Sequence, residues 1–359
     1  MNSKQKILTT ILIIILALIP ASLMAGVDQV SIYIPSFDGP RELGRNVATV
    51  LNLQIWQTLR RAPWPENPDN LHFGYGLIYW DNETLGEQSH IEAERAIKDL
   101  SMLAQMAFWG KAYRYGGGVV VQSNLSIPTY NDFREDKLEI WKTKLNGKTI
   151  GLDIPRRRIE MSSIVLEPSI IEKYSLPSAL KMYKNQVGDE EVGEVGDSYV
   201  AIKFVPGFAY VKSKGIKGWV RLPELSKRPT EVVDFVAGVI RIFRGDWRGA
   251  ATKMQDVINN TNTKKPLKID AYLYRGMALE RLGEPGRKMF EHAYKLNPYS
   301  ETTIQYLIMS DLSALNRLTG VNKTKERNTI NERIRNTISE HGYLFKDDNP
   351  WLLKVKENI

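Results

Sequence analysis

The chain has no cysteine and only four histidines in 359 residues. The missing cysteines remove disulfide staples, thiolate metal sites and cysteine nucleophiles together, so stability must come from packing. His72, His90, His292 and His341 fall in separate segments without the close spacing of zinc ligands. The sequence also lacks a His-Glu-x-x-His pair, a Gly-x-Ser-x-Gly elbow, a phosphate loop and a dinucleotide fingerprint, which withdraws support from the common hydrolase and nucleotide-enzyme classes. A glycosidase needs only two carboxylates that meet in space, so it stays as a third functional class. Neither charge sign is scarce: 49 basic against 41 acidic residues leave +8, dispersed along the chain. With 43% apolar residues the composition is that of folded globular material, long enough for two or three domains.

The first segment reads as an address. Lys4 and Lys6 precede an apolar run from Ile7 to Ile19, and Pro20 is followed by Ala-Ser-Leu-Met-Ala, the layout of a secretory signal. Thirteen residues fall short of the ~20 that a spanning helix requires. The expected signal peptide is 1–25, cut after Ala25, and its removal lowers the net charge to +6. No cysteine follows for lipid attachment, and membrane contact is expected only if the segment stays uncleaved. Export without cysteine suits a bacterial envelope, so the expected location is periplasmic or otherwise extracytoplasmic.

Residues 26–142 read as an α/β domain of order βαβαββ. Val30, Ile32 and Ile34 alternate as a strand, and Leu43, Val47, Val50, Leu51, Ile55 and Leu59 recur at helical spacing. Leu71–Trp80 reads as the next strand, and Ser89-His90-Ile91-Glu92 is a capping box that opens a second helix. Met106–Tyr115 and Val119–Ile127 form strands joined by Gly116-Gly117-Gly118. A strand follows those glycines, not a helix, so they predict a hairpin turn and not a phosphate cradle. This order, with Ala107–Tyr113 and Gly116–Val121, resembles the α/β domain shared by the amino-terminal part of TolB and the flagellar protein FlgO. The resemblance implies an envelope assembly module without a known reaction and carries over no functional residue.

Residues 143–228 alternate short β-branched runs with glycine and proline, which predicts a small β-barrel. Gly215–Leu222, containing Gly218-Trp219-Val220, resembles the closing strands of bacterial SH3-like domains. That resemblance implies binding to cell-wall peptides or proteins, with Tyr183, Tyr199 and Trp219 as contacts, although a packing role for Trp219 is the simpler expectation. Arg156-Arg157-Arg158 lacks interleaved aromatics and is expected to be a solvated loop, and no nucleic-acid partner is expected.

Residues 229–359 carry an internal repeat. Gly238 and Gly276 are 38 residues apart, as are Gly245 and Gly283, with aromatic and small residues following each pair. This spacing resembles tetratricopeptide helix pairs, with Ile304–Leu318 and Ile330–Ile338 as further helices. The resemblance implies a concave face on the first helix of each pair. Val232, Phe235, Val239 and Phe243 would line it in the first unit, with burial against the barrel as the alternative for this wholly apolar set, and Asp270, Leu273, Met277, Glu280 and Arg281 in the second, where packing is the simpler expectation for Leu273.

The expected whole is a multidomain α+β chain: α/β domain, SH3-like β-barrel and tetratricopeptide-like α-helical domain. The expected function is a non-catalytic envelope adaptor holding protein partners, with peptidoglycan binding through the barrel as the alternative. Candidate partner-binding residues are Asp270, Met277, Glu280, Arg281, Tyr199 and Trp219. No catalytic residue, metal ligand or cofactor is expected.

Overall fold

The computed structural model describes residues 32–60, 78–81, 84–99, 104–128, 141–173, 181–196, 200–205, 208–221, 230–318 and 323–359. The expected signal segment, Val30, the start of the second strand, His72 and Tyr199 lie outside these residues. The chain is mixed α+β with a helical carboxy-terminal region. Among the described residues no helix is long and apolar enough to cross a membrane.

Strand β1 (Ile32–Pro35) lies between β2 (Ile78–Asp81) and β3 (Met106–Tyr115), parallel to both. Its alternation serves two layers. Ile32 and Ile34 join the core with Val47, Val50 and Leu51 of helix α1 (Arg41–Arg60), whereas Tyr33 packs on the other face with Ala93 and Ile97 of α2 (His90–Asp99). Each fully buried aliphatic chain in these layers contributes roughly 1.5–3 kcal/mol. The Ser89 cap forms, its Oγ accepting from the Glu92 amide at 3.2 Å, while the Glu92 carboxylate turns outward to Arg95. β4 (Gly118–Ser126) returns antiparallel to β3. Gly116 (φ 57°) and Gly117 (φ 79°) make that turn, a left-handed pair matched to the strand twist.

The structure departs from the expected barrel: among the described residues none closes. β7 (Arg158–Glu160) and β8 (Ile164–Leu166) both pair with β4, adding to the far side of the first sheet. β11 (Val200–Val205) joins β2 through Val200 opposite Tyr79, and β12 (Phe208–Ser213), β13 (Ile216–Arg221), β9 (Lys181–Tyr183) and β10 (Glu191–Glu194) continue outward from it. The result is one eleven-stranded sheet of order β10-β9-β13-β12-β11-β2-β1-β3-β4-β7, with β8 also on β4. Strands from both sides of the expected boundary at 142 therefore share one continuous sheet. Each end of the first sheet offered unpaired backbone groups, and the later short strands satisfy them.

A separate hairpin, β5 (Trp141–Leu145) and β6 (Lys148–Leu152), leaves the sheet and packs on the helices. Those helices are α4 (Glu231–Phe243), α5 (Trp247–Asn259), α6 (Lys265–Arg281), α7 (Arg287–Leu296), α8 (Glu301–Arg317), α9 (Thr324–His341) and the terminal α10 (Pro350–Lys356), with α3 (Pro168–Lys173) against α1. From α4 to α9, each helix packs on the next in sequence. Gly245 and Gly283 end the first helix of each pair in the left-handed region, as the repeat predicts.

Candidate functional site

One contact between sheet and helices is made by the strap Asp153-Ile154-Pro155-Arg156-Arg157-Arg158, in which Arg156 and Arg158 are exposed, as expected of a solvated loop, while every arginine is also held by a partner. Each arginine has a different partner. Arg158 grips Glu94 of α2 through Nε at 2.8 Å and Nη2 at 2.9 Å. Arg157 donates to the Pro128 carbonyl and to the Asp153 carboxylate. Arg156 reaches the helices, where its Nη1 lies 3.4 Å from Asp270 Oδ2. Two buried tyrosines hold the strap backbone from the helical side: Tyr274 of α6 donates to the Arg156 carbonyl and Tyr306 of α8 to the Asp153 carbonyl. Burial pushes both phenols well above their ordinary range, so they act as neutral donors.

The same surface receives the β5–β6 hairpin. Trp141 is 3% exposed and stacks on Phe290 at 5.8 Å and against Tyr306 at 5.7 Å. At the tip, Asn146 donates to the Asn358 carbonyl at 2.8 Å.

The expected concave face is thus filled by the chain itself. Val232, Phe235, Val239, Leu273 and Met277 are buried. Glu280 is buried as well: Oε1 accepts from the Gly286 amide at 3.0 Å and Ser310 Oγ at 2.6 Å, and Oε2 pairs with Arg317 at 2.8 Å. Met277 and Glu280 are therefore corrected from partner contacts to interior residues, because the helix face that carries them is covered. Arg281 is exposed, and its guanidinium lies 4.9 Å from the Trp247 ring centre. Trp219 is half-buried beside Tyr210 at 5.0 Å, away from this surface, and Tyr199 lies outside the described residues.

Asp270 is buried as well, but on the lining of a cleft: it is 1% exposed, and the cleft of about 290 Å³ lies between the strap, the start of α6 and the start of α8. Burial, opposed by Arg156, raises its carboxyl to about 6. A second hollow of about 530 Å³ lies on the other side of the strap, lined by Glu94, Ile127, Ile154 and the three arginines. Sequence reasoning missed Arg156, Tyr274 and Tyr306. The clustered arginines were a visible signal, but the acidic partners of Arg156 and Arg158 lie 114 and 64 residues away in the chain.

Among the described residues, Ser126 Oγ lies 2.8 Å from His90 Nδ1. Ser126 is fully buried and accepts from Trp109 Nε1 at 2.8 Å, which makes the pair a tether of α2 to the sheet. Desolvation and then Arg158 hold the His90 imidazole below its ordinary range. Among the described residues no group of three acidic or histidine side chains is placed to hold a metal ion. No protein-family model, curated protein or solved structure matches this chain.

Proposed function

We propose that this chain is a non-catalytic, exported adaptor of the bacterial envelope, in which the helical array braces the sheet and protein partners dock on the sheet. The observation that supports this reading is an apolar row across three strands: exposed Tyr113 on β3, half-buried Val120 opposite it on β4 and exposed Val165 opposite that on β8. Val165 is 68% exposed and Tyr115, at the end of β3, is 75% exposed. Apolar side chains gathered in this way mark interaction surfaces more often than isolated ones do. The likeness to the TolB/FlgO domain agrees with a docking role but adds no residue. The helical repeats, proposed from their tetratricopeptide-like spacing, serve here as frame and not as groove.

The test is site-specific photocrosslinking in cells at Tyr115 and Val165, with Arg248 on the exposed side of the helices as reference. A discrete envelope protein captured at the sheet positions and not at Arg248 supports the reading. Equal capture at all three removes it.

Peptidoglycan binding is the second reading, favoured by a separate aromatic row. Tyr183, Trp219 and Tyr210 sit opposite one another on β9, β13 and β12, each half-buried, with exposed Lys212, Lys217 and Arg221 on the same face. Flat aromatic faces suit sugar rings, and the basic border suits acidic stem peptides. Sedimentation with purified cell wall tests it; Trp219→Ala binding as well as the parent chain rejects it.

A further inference from the structure

We propose that the cleft between the strap and the starts of α6 and α8 binds a free apolar α-amino acid through its ammonium and carboxylate groups. The inference is independent of the adaptor reading. Three features of the cleft converge on that chemistry.

The first is an unmet acceptor. Asp270 is 1% exposed, and only its Oδ2 meets Arg156; Oδ1 has no hydrogen-bond partner. A buried carboxylate oxygen without a donor is costly, and a ligand ammonium supplies the donor.

The second is positive charge around the same opening. Arg156 is half exposed and spends one nitrogen on Asp270 at the long distance of 3.4 Å, so its planar fork has further N–H groups for a carboxylate. Lys265 stands at the mouth, exposed. The 17-residue helix α8 begins at the cleft, its Ser300 cap and Thr302 on the lining, and adds the positive end of its dipole. An ammonium seat beside a carboxylate seat selects a zwitterion over either ion alone.

The third is the wall. Pro155, Pro266, Ile269, Leu273 and Leu296 supply apolar surface, and a volume of about 290 Å³ admits a ligand of amino-acid size. An aliphatic side chain would lie against this wall while the charged head meets Asp270 and Arg156.

Titration calorimetry on the purified chain tests the proposal with leucine, 4-methylpentanoate, which lacks the amine, and 3-methylbutylamine, which lacks the carboxylate. Leucine should bind, and each half-ligand should bind at least about tenfold more weakly. Asp270→Asn should weaken leucine at least about tenfold and leave 4-methylpentanoate unchanged, a pattern that general destabilisation would not produce. Should Asp270→Asn fail to fold, Thr302→Trp closes the cleft from α8 without touching the carboxylate and must abolish leucine binding. No heat with leucine, alanine or methionine at millimolar concentration overturns the proposal. So does equal binding by a half-ligand, or full leucine binding by Thr302→Trp.

Discussion

The guanidinium of Arg241 donates through Nη2 to the backbone carbonyl of Leu59 at 3.1 Å. Arg241 is wholly buried in α4, and Leu59 stands in the last turn of α1, where helix carbonyls have no partner within their own helix. One charged side chain thus terminates a helix of the sheet layer from within the helical array. Asp246, at the start of α5, completes the arrangement by pairing with Arg241 and capping its own helix through the Gly249 amide at 2.9 Å.

Removing Asp246 should be worse than removing a surface acid. Asp246→Ala removes a counter-charge from a buried guanidinium and also a helix cap, and the expected loss is about 3–5 kcal/mol. Urea denaturation of the variant against Asp256→Ala, an exposed acid on the same helix, measures the difference.

The two packing glycines should differ in their tolerance of a methyl group. A Cβ at Gly276 would lie 2.4 Å from the ring of Phe290, which Trp141 already holds in a stack. At Gly238 the nearest atom, at 2.6 Å, is the end of the flexible Met254 side chain. Gly276→Ala should cost about 1–3 kcal/mol and Gly238→Ala less, read as the drop in thermal midpoint of each.

Trp141 is the apolar anchor of the β5–β6 hairpin on the array. Trp141→Ala should destabilise by about 3–5 kcal/mol, since the ring is buried between two aromatics. Trp219→Ala should cost clearly less, because that ring is half-buried on an open sheet face. Equal losses in parallel melts would show that the two rings are equally enclosed.

Two buried acids should make the fold more stable in mild acid. Burial raises both Asp234 and Asp270 to about 6. The groups facing Asp234 are Lys253, which opposes the shift, and Asp256 and Glu231, which add to it; Arg156 faces Asp270 and opposes it. The folded chain therefore keeps protons that the unfolded chain releases between about pH 4 and 6. Their contribution is most favourable below pH 4 and is lost as pH rises through 6, at roughly 3 kcal/mol for each group. The stability difference between Asp234→Asn and the parent chain should shift in the variant's favour from pH 4 to pH 7. A flat difference would contradict this account.

Local features were legible because their causes are local. The hairpin at Gly116-Gly117 needs two residues able to adopt positive φ between alternating strands, and both signals stand in the sequence. The helix α1 face and the glycines spaced by 38 residues follow equally from contacts within a turn or between adjacent helices. The candidate site was legible only at Asp270. Glu280 looked like a surface charge because nothing near it in sequence reveals that Ser310 and Arg317 enclose it, 30 and 37 residues away.

Since backbone preference and apolar period act over a few residues, the sequence by itself determined the order βαβαββ at the start and the helices at the end, but not the strand Trp141–Leu145 or the short helix Pro168–Lys173. Only the tertiary structure decided which sheet edge each short strand joined, and that the array's inner face would be filled by the strap and Trp141. A period of two says that one face of a strand is buried and leaves open what buries it. A charged residue likewise carries no mark of its desolvation, which arises when distant segments such as Arg156 and α6 close around Asp270.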